Sequence, residues 1–367
     1  MNKLAMLIVA LTLAVVCNAR MAAAEPVTES DSEAHQAPGG APFVLGPPKG
    51  DGPVAVKTNL EVNEINEIND EAETFGFTGV LTLQWHDKRQ AFEPTAGVDE
   101  KIYQGAYQVD EISPGWFPQV VLVNSAGSYD KQGVVLRVRP DGTLTLIEKV
   151  SAVAKSDLNL RRFPFDNQQL EAVFEVLGFD NNEVRLEVES EATRSAGSEI
   201  RIPQWTILGI SLSTRERPGA DTGHRGIRSA FVASIEAQRE SFYVSRLITL
   251  PLFVIVLLSF SVFWMERSSL GDRISVSFIG ILSAVAYQVV MSDALPKIAY
   301  VTLMNAFLNF SFLTMVGTVV INLVVGVLDQ RGNTELADGI DRRCRWIFPL
   351  IYFGLILFAF GVAFLVF

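Results

Sequence analysis

Four stretches in the last third of the chain, residues 247–265, 274–291, 300–328 and 346–367, contain no Asp, Glu, Lys or Arg. Each is near or above the ~18–20 apolar residues that cross a hydrocarbon layer. Lipid offers no hydrogen bonds, so a spanning segment must satisfy its own backbone, and a run of this length does so as an α-helix. The connections at 266–273, 292–299 and 329–345 are short. The last third therefore reads as an all-α bundle of four transmembrane spans.

The N-terminus fixes the orientation. Lys3 precedes a 13-residue apolar run at 4–16, and Ala22-Ala23-Ala24 follows as a small-residue cleavage site. Residues 1–24 thus have the layout of a signal peptide, with an uncleaved anchor as the alternative. Residues 25–53, rich in Pro, Gly, Ala and Ser, read as a flexible leader. With the segment from 54 to 246 exported, the first and third connections lie inside. They carry Arg267, Arg273, Arg331, Arg342, Arg343 and Arg345, against Lys297 alone in the outer connection. This asymmetry satisfies the positive-inside rule.

Charge excludes some functions. Residues 25–246 hold 34 acidic and 21 basic side chains, a net of −13, and such a surface repels nucleic acid. The cysteines, Cys17 and Cys344, allow neither a disulfide framework nor a four-cysteine zinc site. Three histidines in separate segments (His35, His86, His224), with no Gly-x-Ser-x-Gly and no His-Glu-x-x-His, leave no constellation for an enzyme. Nothing calls for a cofactor or a metal. Carboxylates such as Asp87 and Glu93 read as a solvated acidic face.

Residues 54–246 have the period of strands. Phe77, Gly79, Leu81, Leu83 and Trp85 alternate with Thr78, Val80, Thr82 and Gln84, as a half-buried strand requires. Residues 134–150 form two alternating runs around Pro140-Asp141-Gly142, a hairpin signal. Further runs at 170–176, 183–188 and 205–213 complete an expected all-β sandwich. The chain is then an extracellular or periplasmic sandwich at 54–246 followed by the bundle at 247–367.

The second span carries the most information. Ser275, Ile279, Leu282, Ala286, Val289 and Asp293 recur at spacings of 4, 3, 4, 3 and 4, so they share one helical face. Asp272 stands at its inner end. An apolar stripe with an acid at each rim suits a pore wall, provided several copies surround one axis. It also suits a helix packed in its own bundle with acids at solvated ends, and a pore-less, membrane-anchored sensing module remains the alternative. In a pore, an Asp272 ring would attract cations, and the apolar belt would dewet when narrow and close the path. Arg273 could cancel the Asp272 charge. It lies about 100° further round the axis and could instead turn to the lipid head groups.

These residues and several motifs resemble the pentameric ligand-gated ion channels, most of all their bacterial members. Phe163-Pro164-Phe165-Asp166 with Gln168 is similar to the family's signature loop, here without a bracketing disulfide. Trp85-His86-Asp87, Trp116-Phe117-Pro118, Pro251 and Leu295-Pro296-Lys297 with Tyr300 match further family motifs in order, over residues 60–367. The resemblance implies a homopentamer in the bacterial inner membrane, with its N-terminal domain outside and its pore lined by the second span. Gly271-Asp272-Arg273 resembles the inner-mouth motif of cation-selective members, which implies permeant monovalent cations. Leu282 falls on the family's central leucine ring. Asp70, Asp166, Arg239 and Pro296 match positions that couple the sandwich to the membrane.

The agonist is left open. Val80 and Val123 stand where aromatic ligand-binding residues are expected, and residues 218–227, the capping loop, have no aromatic. Phe179 is the one candidate for cation–π binding, with a packed loop residue as the equal alternative. Ala72-Glu73-Thr74-Phe75 resembles the segment bearing a proton-sensing glutamate, and Asp70 and Glu71 beside Glu73 would raise its pKa. His224 is a second titratable candidate. Ala284 takes the place of a histidine of the proton-gated members.

Overall fold

The computed structural model describes residues 46–365, apart from 51, 95–98, 114, 190–199, 219–225, 266–269 and 293–294. The signal segment, most of the leader, Asp293 and His224 lie outside the described residues.

The part of the chain ahead of the helices is a two-sheet sandwich. Its strands are β1 (Val54–Asn69), β2 (Thr74–His86), β3 (Lys101–Gln104), β4 (Val120–Leu122), β5 (Ser125–Val138), β6 (Thr143–Lys155), β7 (Asn167–Val176), β8 (Val184–Val188), β9 (Arg201–Ile202), β10 (Trp205–Pro218) and β11 (Ile227–Arg239). One sheet runs β3-β5-β6-β2-β1-β8 and the other β4-β7-β11-β10-β9. The alternation in β2 is as its sequence requires: Phe77, Leu81, Leu83 and Trp85 are buried. They meet Leu170, Phe174 and Phe231 of the second sheet in one continuous core.

The β5–β6 hairpin turns at Pro140-Asp141-Gly142. Asp141 accepts hydrogen bonds from the Thr143 N–H at 2.9 Å and the Thr143 hydroxyl at 3.0 Å. Gly142 has φ +85°, and a Cβ there would stand 2.6 Å from the Asp87 carbonyl oxygen, so only glycine fits. Asp87 is not part of a solvated face. It is fully buried and accepts from Arg89 Nε at 2.8 Å and Arg89 Nη2 at 2.8 Å.

β11 runs almost directly into the first of four long apolar helices, Ser241–Trp264, Gly271–Met291, Leu303–Gln330 and Thr334–Leu365. Each is long and apolar enough to cross a membrane. Within the first helix, a π turn at Ser245–Thr249 precedes Pro251. Pro251 has no N–H for the Leu247 carbonyl four residues back. The Tyr287 hydroxyl of the second helix donates to that oxygen instead. The same two helices approach closely at Gly280, where a Cβ would lie 2.6 Å from Ser259 Oγ.

The fourth helix starts at Thr334, well before the apolar stretch at 346. The charged run ahead of 346 is helical because it keeps an inward stripe: Ala337, Asp341 and Cys344 are buried, in register with Tyr352. The outward face stays bare, with Trp346, Leu350, Leu357 and Leu365 all exposed.

Candidate functional site

Two places stand out: the joint between sandwich and helices, and the free face of the second helix.

At the joint, Arg239 ends β11 two residues before the first helix. Its Nε donates to Asp166 Oδ1 at 2.9 Å and its Nη2 to Asp70 Oδ1 at 2.8 Å. The guanidinium also lies over two rings, 4.1 Å from Trp205 and 4.8 Å from Phe163. Its side chain is 4% exposed, Asp166 1% and Asp70 20%, so these are interior charges. Burial by itself would lower the Arg239 pKa, but hydrogen bonding to Asp70 and the field of both carboxylates outweigh it and hold the pKa raised. Asp166 is fixed in turn by Gln168 Nε2 at 2.6 Å, and Gln168 clamps the Asn159 N–H and carbonyl at 3.0 Å each. One cluster thus joins the β1–β2 turn, the signature loop and the entry to the first helix.

The signature loop has two more anchors. The Tyr300 hydroxyl accepts from the Leu160 N–H at 2.9 Å and donates to the Leu158 carbonyl at 3.3 Å, and the Leu303 N–H donates to the Arg161 carbonyl at 2.9 Å. These tie the loop to the start of the third helix. On its other side, Arg162 Nε donates to the Ala363 carbonyl at 3.0 Å and its guanidinium faces the Phe364 ring at 5.4 Å. Phe165 packs on Phe360 and Phe364 at 5.8 and 6.4 Å. The last turn of the fourth helix is therefore part of the joint. Pro296 is half-buried in the loop after the second helix, and its neighbour Lys297 reaches Glu71 at 3.4 Å. Both ends of that pair are largely exposed, so it contributes little.

The β1–β2 turn places Glu73 at φ +52°, after Asn69 Oδ1 accepts from the Glu71 and Ala72 N–H groups. Its backbone carbonyl accepts from the Ser156 N–H at 2.9 Å, and its side chain is half-exposed at the edge of the joint. Phe179 is half-buried and set edge-on to Trp116 at 5.8 Å, and Trp116 is edge-on to Trp85 at 6.3 Å. Its ring belongs to a stack of core aromatics.

On the second helix, Ser275, Ile279, Leu282, Ala286 and Val289 are all exposed, as is Asp272. Ile279, Leu282 and Val289 are 62%, 70% and 67% exposed, while Arg273, Ser277 and Ala284 on the other side are buried. Helices one and three cover one flank only. Arg273 turns neither to the mouth nor to the head groups. It is fully buried, with Nη1 and Nη2 on the two Asp341 oxygens at 2.9 and 2.8 Å. Asp341 is the Arg273 partner that the sequence reading passes over, since residues 329–345 look there like a charged connection. The available signal is its spacing from Ala337 and Cys344.

Fold and site define a multi-pass membrane protein whose β-sandwich is coupled to four membrane helices. The sequence family described as "Neurotransmitter-gated ion-channel ligand binding domain" matches residues 44–227. The chain belongs to this family, the pentameric ligand-gated ion channels, which are not enzymes. It is 28% identical over 307 residues to a proton-gated ion channel of Gloeobacter violaceus, covering 83% of this chain and 82% of that one. It is also 25% identical to the gamma-aminobutyric acid receptor subunit theta of Mus musculus, over 82% of this chain and 46% of the subunit. A third relative is the rho-3 subunit of Homo sapiens, 23% identical over 79% of this chain and 62% of the subunit. The chain spans about half to three-fifths of the length of these two receptor subunits.

Proposed function

We propose that the chain assembles as a homopentamer in the bacterial inner membrane, sandwich outside, and forms a cation-selective channel along the second helix. The observation that carries this reading is the bare stripe of that helix. A bundle helix would bury Ile279, Leu282 and Val289, yet one protomer leaves them open together with Asp272 at one end. Five copies facing an axis would cover them, and Asp293 would complete the outer rim. Leu282, at the centre of the apolar stripe, serves as the gate by excluding water. Asp272 sets selectivity for monovalent cations.

A change of external pH opens the channel, with Glu73 as its sensor beside Asp70 and the Arg239 cluster; a small molecule is the other class of agonist. The similarity to a proton-gated channel supports pH, and so does the edge-on packing of Phe179, the one candidate ring for an amine, against Trp116. Asp70, Asp166, Arg239 and Pro296 transmit the signal. The deciding experiment is current across a patch containing the protein while external pH is stepped under opposed sodium and chloride gradients. A pH-gated current reversing near the sodium potential is the expected result. Reversal near the chloride potential would overturn cation selectivity, and silence at every pH would overturn pH as the agonist.

A further inference from the structure

The inner mouth carries two opposite charges in consecutive positions, Asp272 and Arg273. Side by side at a pore entrance they would cancel, and five copies of each would leave a ring with no net sign. The structure separates them. Asp272 is exposed on the stripe side. Arg273 is drawn inside the bundle, wholly buried, in a two-point contact with Asp341.

Asp341 belongs to the part of the fourth helix that precedes its apolar stretch, and it is only 5% exposed. Its position is fixed from both sides along the helix. Ala337 and Cys344 are buried with it, and Arg345, one turn further on, donates from Nε to the Phe263 carbonyl at 2.7 Å at the end of the first helix. The parallel fork of a guanidinium on a carboxylate sets direction as well as distance. Beyond it, Arg273 has little to hold it: its Nε–H is buried without a hydrogen-bond partner among the described residues.

We infer that Asp341 is the positioning residue for ion selectivity: it holds Arg273 inside the bundle, so that Asp272 alone sets the charge of the inner mouth. This rests on the proposed pore. Without Asp341 a lone guanidinium would be left in the bundle, a state far costlier than solvation. Asp272, at the same end of the helix, is exposed, and the long arginine side chain would reach that solvated side by swinging about one step around the axis. There it would neutralise the acid and weaken cation preference. A distant residue on the fourth helix, outside any pore wall, thus decides the sign of the pore.

The test compares full-length channels in a Leu282→Ser background, expected to conduct without agonist, and reads the reversal potential under a sodium chloride gradient. With Asp341→Asn the sodium-to-chloride permeability ratio should fall roughly three- to tenfold, and adding Arg273→Gln to Asp341→Asn should bring it back. A merely structural role would change channel number and leave the ratio untouched. An unchanged ratio in Asp341→Asn overturns the inference, and so does a double variant as unselective as the single one. Should Asp341→Asn not assemble alone, it is co-expressed with unaltered subunits. The ratio should then fall with the variant's share, and selectivity independent of that share overturns the inference. A background channel that is not cation-selective at all would instead overturn the proposed cation selectivity itself, so the two failures are distinct.

Discussion

Arg239 shows how one residue can belong to two domains. Its guanidinium is gripped by carboxylates from two loops and lies over the rings of Trp205 and Phe163. Removing one partner strands a buried charge, at a cost of about 3–5 kcal/mol. Asp166→Asn is therefore expected to lower the thermal midpoint by several degrees and to impair opening. Arg239→Lys should do nearly the same, because lysine keeps the charge but neither the fork nor the ring stacking. Thermal melting of the purified protein checks both. Glu73→Gln should shift the pH of half-maximal current, and an unshifted response would remove Glu73 as sensor. Acid acts elsewhere too. The Thr143 N–H, then its hydroxyl, hold the Asp141 pKa below its ordinary value. That contribution to the hairpin is present above the unfolded pKa and lost as pH falls through the lowered one, so an acid step also loosens the β5–β6 turn. At this scale the sequence is legible only through its motifs. Nothing in the numbers 70, 166 and 239 places three side chains together, since contacts across a sandwich have no local signature.

Elements were easier to read, and the reason is periodicity. Alternation in β2 and the Pro140-Asp141-Gly142 turn need only local geometry, and their residues face as their spacing requires. Apolar length alone marks the four helices. It fails at their ends, because a charged segment extends a helix whenever one face is buried. Residues 334–345 do so through Ala337, Asp341 and Cys344. The fate of Arg273 was hidden for the same reason, since its partner sits in that extension. The second helix has its own test. Leu282→Ser should wet the closed constriction and give current without agonist, whereas the same change at buried Ala284 should mainly reduce expression. Tyr287→Phe should remove the hydrogen bond to the Leu247 carbonyl next to Pro251, a loss of about 0.5–1.5 kcal/mol visible in the thermal midpoint.

For the whole molecule, the acidic balance of the exported part has a consequence for conduction. A net charge of −13 over residues 25–246 around a shared vestibule would concentrate cations ahead of the pore. Such enrichment is screened within about 10 Å at 0.1 M salt. Unitary conductance should therefore fall less than proportionally as salt is diluted, and neutralising exposed vestibule acids should restore proportionality. The fourth helix bears on the molecule in another way. It spans Thr334 to Leu365, presents a bare apolar flank and is clasped at its tip by Arg162 and Phe165. A segment seated in hydrocarbon tilts or shifts when the surrounding layer is thicker or thinner than its apolar length. Here any such displacement would act directly on the loop that holds Asp166, through Arg162 and Phe165. Acyl-chain length would thereby become an input to the proposed channel, and the same protein in bilayers of short and long lipids should open at different strengths of one stimulus.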